Sequence, residues 1–234
     1  MKEPSTDMNL ETATISRGIP LEVSAPKLYE PAKRAIDLLV SMLALIVLSP
    51  LLAICALAIC LDSAGPVFFR QDRVGEGGRV FTMLKFRSMR SGADESVHEE
   101  YVTSFIRGEG ELIGDEQRYK LVGDSRITRV GSWLRKTSLD ELPQLFNVVR
   151  GEMSLVGPRP PISYEVEQYQ PSHLRRLAVK PGITGLWQVS GRNTTTFDQM
   201  VELDVEYIRR RSVGLDIWIM LKTVPVILLA KDAC

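Results

Sequence analysis

Two adjacent acids, Asp140 and Glu141, follow Ser138-Leu139 and precede Leu142-Pro143. Such a pair can do phosphoryl chemistry or can merely begin a helix. Ser138 with Glu141 three residues on is a capping-box pattern. Leu142, Leu145, Phe146 and Val149 then predict a helix that stops near Gly151. On that reading the acids only complement the positive end of a helix. The surroundings supply a second reading. Arg135 lies five residues before Asp140, and Arg159 stands between Pro158 and Pro160, whose rings stiffen the backbone around it. A guanidinium matches phosphate oxygens in two places at once, so arginines flanking an acid pair at a helix start can form a phosphate site. Successive helical residues diverge by about 100°. One carboxylate can therefore attack phosphorus while the other holds a magnesium ion bridging a diphosphate. A glycosidase would instead set its acids on opposite sides of a sugar ring.

Composition narrows the classes. The chain has 234 residues and no formal net charge, which gives no sign of a nucleic-acid binder and leaves anionic ligands to local Lys and Arg clusters. Cys55, Cys60 and Cys234 form no paired framework, and His98 and His173 are far apart, which argues against zinc. A metal, if used, is expected on carboxylate and phosphate oxygens, hence Mg2+. Residues 1–30 are polar, mixed in charge and contain Pro4, Pro20 and Pro26. They read as a flexible arm without a cleavable signal peptide, ahead of one catalytic domain over 31–234.

The elements that must position the acids begin with Leu38–Leu61, which is almost wholly apolar. A straight helix of that length reaches about 36 Å, against a bilayer core of about 30 Å. Ser49-Pro50 at its midpoint predicts a kink, and cations flank it on both sides, Lys33 and Arg34 before, Arg70 and Arg73 after. A re-entrant hairpin over 33–62, entering and leaving by the cytoplasmic face, satisfies both features. Val67–Arg73 and Arg79–Arg87 predict a β-hairpin around Gly75-Glu76-Gly77-Gly78. Lys85 and Arg87 near its end are either a solvated strand end or part of a site. Gly92–Lys120 reads as short helices and loops. Arg126–Lys136, with Trp133, predicts an amphipathic helix suited to a headgroup layer or to the surface of a soluble core. Phe197–Arg211 predicts a helix most of whose charges are solvated, and Leu215–Ala230 a segment lying at the interface with Trp218 anchored there, ahead of the alternative of a core helix. The expected class is α+β, mostly helical. It combines a re-entrant membrane helix-break-helix, a β-hairpin and amphipathic interfacial helices around a small cytosolic catalytic domain.

The chain resembles the bacterial sugar transferase family, the monotopic polyprenyl-phosphate phosphoglycosyl transferases. The matching strings are Lys33-Arg34-Ala35-Ile36-Asp37, the Ser49-Pro50 break, Leu84 through Met89 (LKFRSM) and Asp124 through Thr128 (DSRIT). Leu134 through Leu145 (LRKTSLDELPQL), Gly151 through Pro160 (GEMSLVGPRP) and Pro181 through Arg192 (PGITGLWQVSGR) follow in order. Each string alone is weak, but their order and spacing over about residues 30 to 230 are specific. The resemblance implies a re-entrant helix and a two-step reaction. Asp140 would attack the β-phosphorus of a UDP-hexose and release UMP, and undecaprenyl phosphate would then attack the sugar-phosphoryl aspartate. Glu141 would ligate magnesium, Arg135 and Arg159 would grip phosphates, and Lys85 and Arg192 lie in matching strings with less defined roles. The polar arm suggests a short form, and the tail is most similar to exopolysaccharide initiators that transfer galactose- or glucose-1-phosphate at the cytoplasmic face of the bacterial inner membrane. A membrane-anchored nucleotide-sugar hydrolase and a non-catalytic membrane scaffold are the competing classes.

Overall fold

A computed structural model describes residues 27–90, 102–106, 126–190 and 196–229. The expectations for residues 1–26, for most of Gly92–Lys120 and for Arg192 fall outside them.

The apolar run forms two helices, α1 (Tyr29–Val47) and α2 (Ser49–Asp62), bent by 62°. Pro50 lies in the first turn of α2, where a missing N–H costs least. Leu48 N–H still donates to Ala44 O at 2.8 Å, and the Ser49 hydroxyl donates to Ile46 O at 2.8 Å, so the break leaves these backbone groups satisfied. Among the described residues no single helix is long and apolar enough to cross a membrane, while this bent pair passes together. Leu39, Leu43, Ile46, Val47, Ile54, Leu57 and Leu61 of the pair are all exposed by more than 60%.

Both ends of the bent pair are fastened to the rest of the protein. Arg34 donates to Val148 O at 2.6 Å and Val149 O at 2.9 Å. Asp37 accepts Leu155 N–H at 3.1 Å, and Lys33 pairs with Asp216 at 2.9 Å. At the other end Arg87 is buried and donates to Ser63 O at 2.6 Å. Lys33, Arg34 and the buried Arg73 are thus engaged inside the protein. Of the four flanking cations only Arg70 is exposed. The charge symmetry read from the sequence is therefore corrected, because three of those charges serve internal contacts.

Strands β1 (Phe68–Val74) and β2 (Val80–Phe86) form the expected antiparallel hairpin, Phe68 opposite Phe86 and Val74 opposite Val80. Helix α3 (Arg129–Lys136) starts at Thr128, whose hydroxyl accepts Gly131 N–H at 2.9 Å. Its Leu134 packs with Cys55, Ile59 and Phe86, which joins α2, β2 and α3. Helix α4 (Gln144–Arg150) ends as expected at Gly151, φ 84°. Asn147 of α4, fully buried, accepts Leu84 N–H at 3.0 Å and donates to Thr82 O at 2.8 Å and Glu152 at 2.7 Å. One side chain thereby fixes β2 against the helix that follows the acid pair.

Strand β3 (Ser154–Val156) pairs in parallel with β4 (Gly182–Thr184), with α5 (Ser163–Glu167) and a 3-10 turn, His173–Ala178, between them. Short α6 (Leu186–Ser190), α7 (Phe197–Arg210) and α8 (Val213–Leu229) complete the described elements. A capping box does occur, at Thr196 and Gln199 of α7. Met83, Leu145, Val148, Met153, Val156, Ile208 and Ile219 form the main core, so β2, α4, β3, α7 and α8 share one interior. The observed class is mixed and mostly helical with two small sheets, as expected.

Candidate active site

The acid pair sits on a 3-10 turn, Leu139–Glu141, between α3 and α4. Ser138 is not an N-cap. Its backbone is left-handed (φ 55°, ψ 17°), its side chain makes no capping bond, and it closes α3 through Ser138 N–H to Arg135 O at 3.2 Å. The capping-box expectation fails because the chain needs a reversal there, and a left-handed residue after a helix supplies one. A non-glycine residue in that region carries strain of about 1 kcal/mol. The turn buries Asp140, 8% exposed, and leaves the Glu141 side chain 36% exposed.

The hairpin delivers the first cation. Lys85, next to last on β2, pairs with Glu141 at 2.9 Å, with its side chain 24% exposed. It is engaged by Glu141 and is not a freely solvated strand end. Arg87, two residues on, belongs to the end of α2 instead.

Arg159, on the loop after β3, lies within electrostatic reach of Arg73 and Asp204. Gly157 N–H donates to Thr184 O at 2.9 Å, and Gly182 N–H to Pro158 O at 2.8 Å. The two chain segments approach so closely that a Cβ on Gly182 would lie 2.1 Å from Gly157 N. Behind the loop, Arg73 of β1 donates to Pro160 O at 2.9 Å, and Val74 N–H donates to Pro161 O at 2.8 Å. Burial and the neighbouring charge of Arg159 lower the Arg73 guanidinium to about 10, and Glu141 acts on it in the opposite sense. Arg159 and Glu141 therefore each lie within electrostatic reach of Arg73. Arg135 is half-buried at the end of α3, and its carbonyl joins the turn.

A buried layer lies beneath. Arg176 and Asp204, each with a side chain 1% exposed, form an ion pair, and Arg176 also donates to the Tyr169 hydroxyl at 3.0 Å. Most charges of α7 are solvated as expected, with Asp198, Glu202, Arg209 and Arg210 exposed, but Asp204 faces inward one turn from Met200 and Ile208. Burial pushes the Asp204 carboxyl up to about 6, against the pull of Arg176. A carboxyl whose folded value exceeds its ordinary 3.8 binds its proton more tightly when folded. Its contribution to stability is present below about pH 4 and is lost as pH rises through about 6. Unfolding midpoints measured from pH 4 to pH 7 should show this fall, and Asp204→Asn should flatten it.

Gln71 and Arg73, two apart on one face of β1, were the legible signal for the Arg73 contact, since alternate strand residues point the same way. Nothing in the spacing of Arg176 and Asp204 announces their meeting, which depends on how α7 packs. For a metal, Asp140 and Glu141 offer hard carboxylate oxygens at one turn. That donor set fits a magnesium ion, which takes one or two carboxylates and fills its shell with water and phosphate oxygens. Among the described residues no larger group of His, Cys, Asp or Glu could hold a metal ion.

Comparison with known proteins places the chain in a family. Residues 28–230 match the family model described as bacterial sugar transferase. The chain is 45% identical over 203 residues to galactosyl transferase CpsE of Streptococcus agalactiae, covering 86% of this chain and 43% of that protein. It is 40% identical over 225 residues to the exopolysaccharide production protein ExoY of Sinorhizobium fredii, 95% of this chain and 97% of that one. It is 45% identical over 197 residues to undecaprenyl-phosphate galactose phosphotransferase of Salmonella typhimurium, 84% and 40% respectively. The chain thus spans less than half the length of two of these relatives and nearly all of the other. With the match running from the first turn of the bent helix pair to the end of α8, the chain belongs to the bacterial sugar transferase family.

Proposed function

We propose that the protein transfers hexose-1-phosphate from a UDP-hexose to undecaprenyl phosphate, releasing UMP and initiating an exopolysaccharide or capsule repeat unit. The observation that carries this reading is a buried Asp140 beside the Glu141–Lys85 pair, with Arg73 in electrostatic reach of Glu141 and Arg159 in electrostatic reach of Arg73. Relatives named for galactose and for glucose transfer to the same lipid phosphate support a hexose donor.

In the first step an Asp140 carboxylate oxygen attacks the β-phosphorus. A phosphorus–oxygen bond forms to Asp140 while the bond to the UMP phosphate breaks, and UMP leaves with the electron pair. In the second step an oxygen of undecaprenyl phosphate attacks the same phosphorus and Asp140 leaves as carboxylate. No general base is required, because the acceptor is already an oxyanion. Arg159, with Arg135 and Arg192, grips phosphate oxygens, and Lys85 holds Glu141 in place. Magnesium at Glu141, when bound, supplies positive charge to the diphosphate.

The bent α1–α2 pair is read as a re-entrant hairpin in the cytoplasmic face of the bacterial inner membrane. Its apolar exposed face and the fastening of both its ends to one catalytic domain support that placement. Ile217, Trp218, Leu221 and Val224 of α8, all exposed, extend it at the headgroup level.

The test is incubation of the purified protein with radiolabelled UDP-galactose or UDP-glucose, magnesium and undecaprenyl phosphate. Transfer gives UMP and labelled lipid in equal amounts, whereas label found only in free sugar phosphate would identify a hydrolase. Lys85→Met should lower kcat/KM by about 100-fold. In a variant lacking native cysteines, cysteines placed at positions 31 and 64 should both be labelled from the cytoplasmic side.

A further inference from the structure

We infer that Arg73 is a positioning residue for the phosphate grip, holding Arg159 in place through the carbonyl of Pro160. The inference rests on the donor and acceptor proposed above. Arg73 is 6% exposed, and its donors are directed inward. Nη1 donates to Pro160 O at 2.9 Å, and Nε and Nη2 fork onto Gln71 Oε1 at 3.1 and 2.7 Å. Glu165 Oε1, itself buried and without a hydrogen-bond partner, stands 3.9 Å from Nη1.

A buried cation is costly, and a well-packed apolar side chain of similar volume usually serves stability as well or better. The close partners of Arg73 are a carbonyl of the Arg159 loop and a glutamine oxygen, while the carboxylate of Glu165 stands off at 3.9 Å. Two guanidiniums set near each other gain from an anion between or beside them, and a diphosphate is such an anion. The Gln71 fork prevents Arg73 from swinging away, and its bond to Pro160 fixes the loop whose preceding residue is Arg159. With Gly157 and Gly182 holding the other side of that loop, Arg159 has a fixed root. A guanidinium rooted in this way needs little reorganisation to meet phosphate oxygens.

The test measures kcat and KM for UDP-hexose in the full-length protein in lipid nanodiscs, for wild type, Arg73→Met, Arg73→Lys, Gln71→Leu, Arg159→Met and the Arg73→Met/Arg159→Met double variant. Arg73→Met should raise KM about 10-fold, more than it changes kcat. The double variant should be no worse than Arg159→Met alone, because both act on one grip. Arg73→Lys should recover much of the affinity near pH 7 and lose it as pH rises toward 9, since burial lowers a lysine ammonium; wild type should hold its KM over that range. Gln71→Leu should reproduce part of the KM effect with Arg73 still present, which keeps the inference testable if Arg73→Met does not fold. Additive effects in the double variant, or variants that melt earlier at unchanged KM, would overturn the positioning role. A wild-type protein that releases no UMP would overturn the proposed function itself, and the Arg73 role with it.

Discussion

Asp140→Asn should lower transfer by about 1000-fold or more while leaving the fold intact, because it removes the attacking charge and little else. Asparagine matches aspartate in size and can take similar hydrogen bonds, so the 8% exposed pocket that holds Asp140 can accept it. If Asp140 only stabilised the start of a helix, asparagine would serve nearly as well, since the two are equivalent at such positions. The substitution therefore separates chemistry from architecture. UMP release and the labelled, acid-precipitable protein formed from UDP-hexose before lipid is added are the two readouts, and both should vanish. A variant retaining a tenth of wild-type turnover would remove Asp140 from the role of nucleophile. Glu141→Gln provides the contrast. It should weaken magnesium dependence and the hold on Lys85 without abolishing the covalent step.

Gly182→Ala should cost about 3 kcal/mol of stability and should also impair donor binding. The added methyl would stand 2.1 Å from Gly157 N, 2.4 Å from Thr184 O and 2.7 Å from Gly157 Cα. All three are backbone atoms, so no rotamer change relieves the clash, and β3 must move away from β4. That movement breaks Gly157 N–H to Thr184 O and Gly182 N–H to Pro158 O, the bonds that root the Arg159 loop. Thermal melting should fall together with affinity for UDP-hexose. Gly214→Ala is the control, since nothing lies within 4 Å of its added Cβ and the same change should be nearly silent there.

Local rules made several elements legible. The hairpin registered around Gly75–Gly78, the break fell at Ser49-Pro50, and α4 ended on left-handed Gly151, because turns and helix ends are set by the residues at them. Asp140 and Glu141 were legible as a pair, and Lys85 as a candidate, but their meeting depends on Asn147 bonding across from α4 to β2, a contact 63 residues apart in sequence. Ser138 misled because a serine followed by glutamate three residues on is compatible with both a helix start and a left-handed reversal. Only the preceding helix, which must end somewhere, selects the second. Lys33, Arg34 and Arg73 misled for a related reason. Their charge is visible in the sequence, but whether a cation faces water or a carbonyl depends on elements far along the chain. Asp204 belongs with them, as its inward turn depends on Arg176 arriving from the 3-10 segment.

Because the bent helix pair is stitched at both ends by Arg34, Asp37 and Arg87, it cannot behave as a removable tether. Deleting it would strip the carbonyls of Val148 and Val149 and the amide of Leu155 of their partners, and would open the Cys55–Ile59 contact with Phe86 and Leu134. The catalytic half would not survive as a water-soluble fragment. With the hairpin placed in lipid as proposed, its insertion and the assembly of the candidate site are expected to be one cooperative event. Any variant that delays the hairpin should delay the appearance of activity by the same interval.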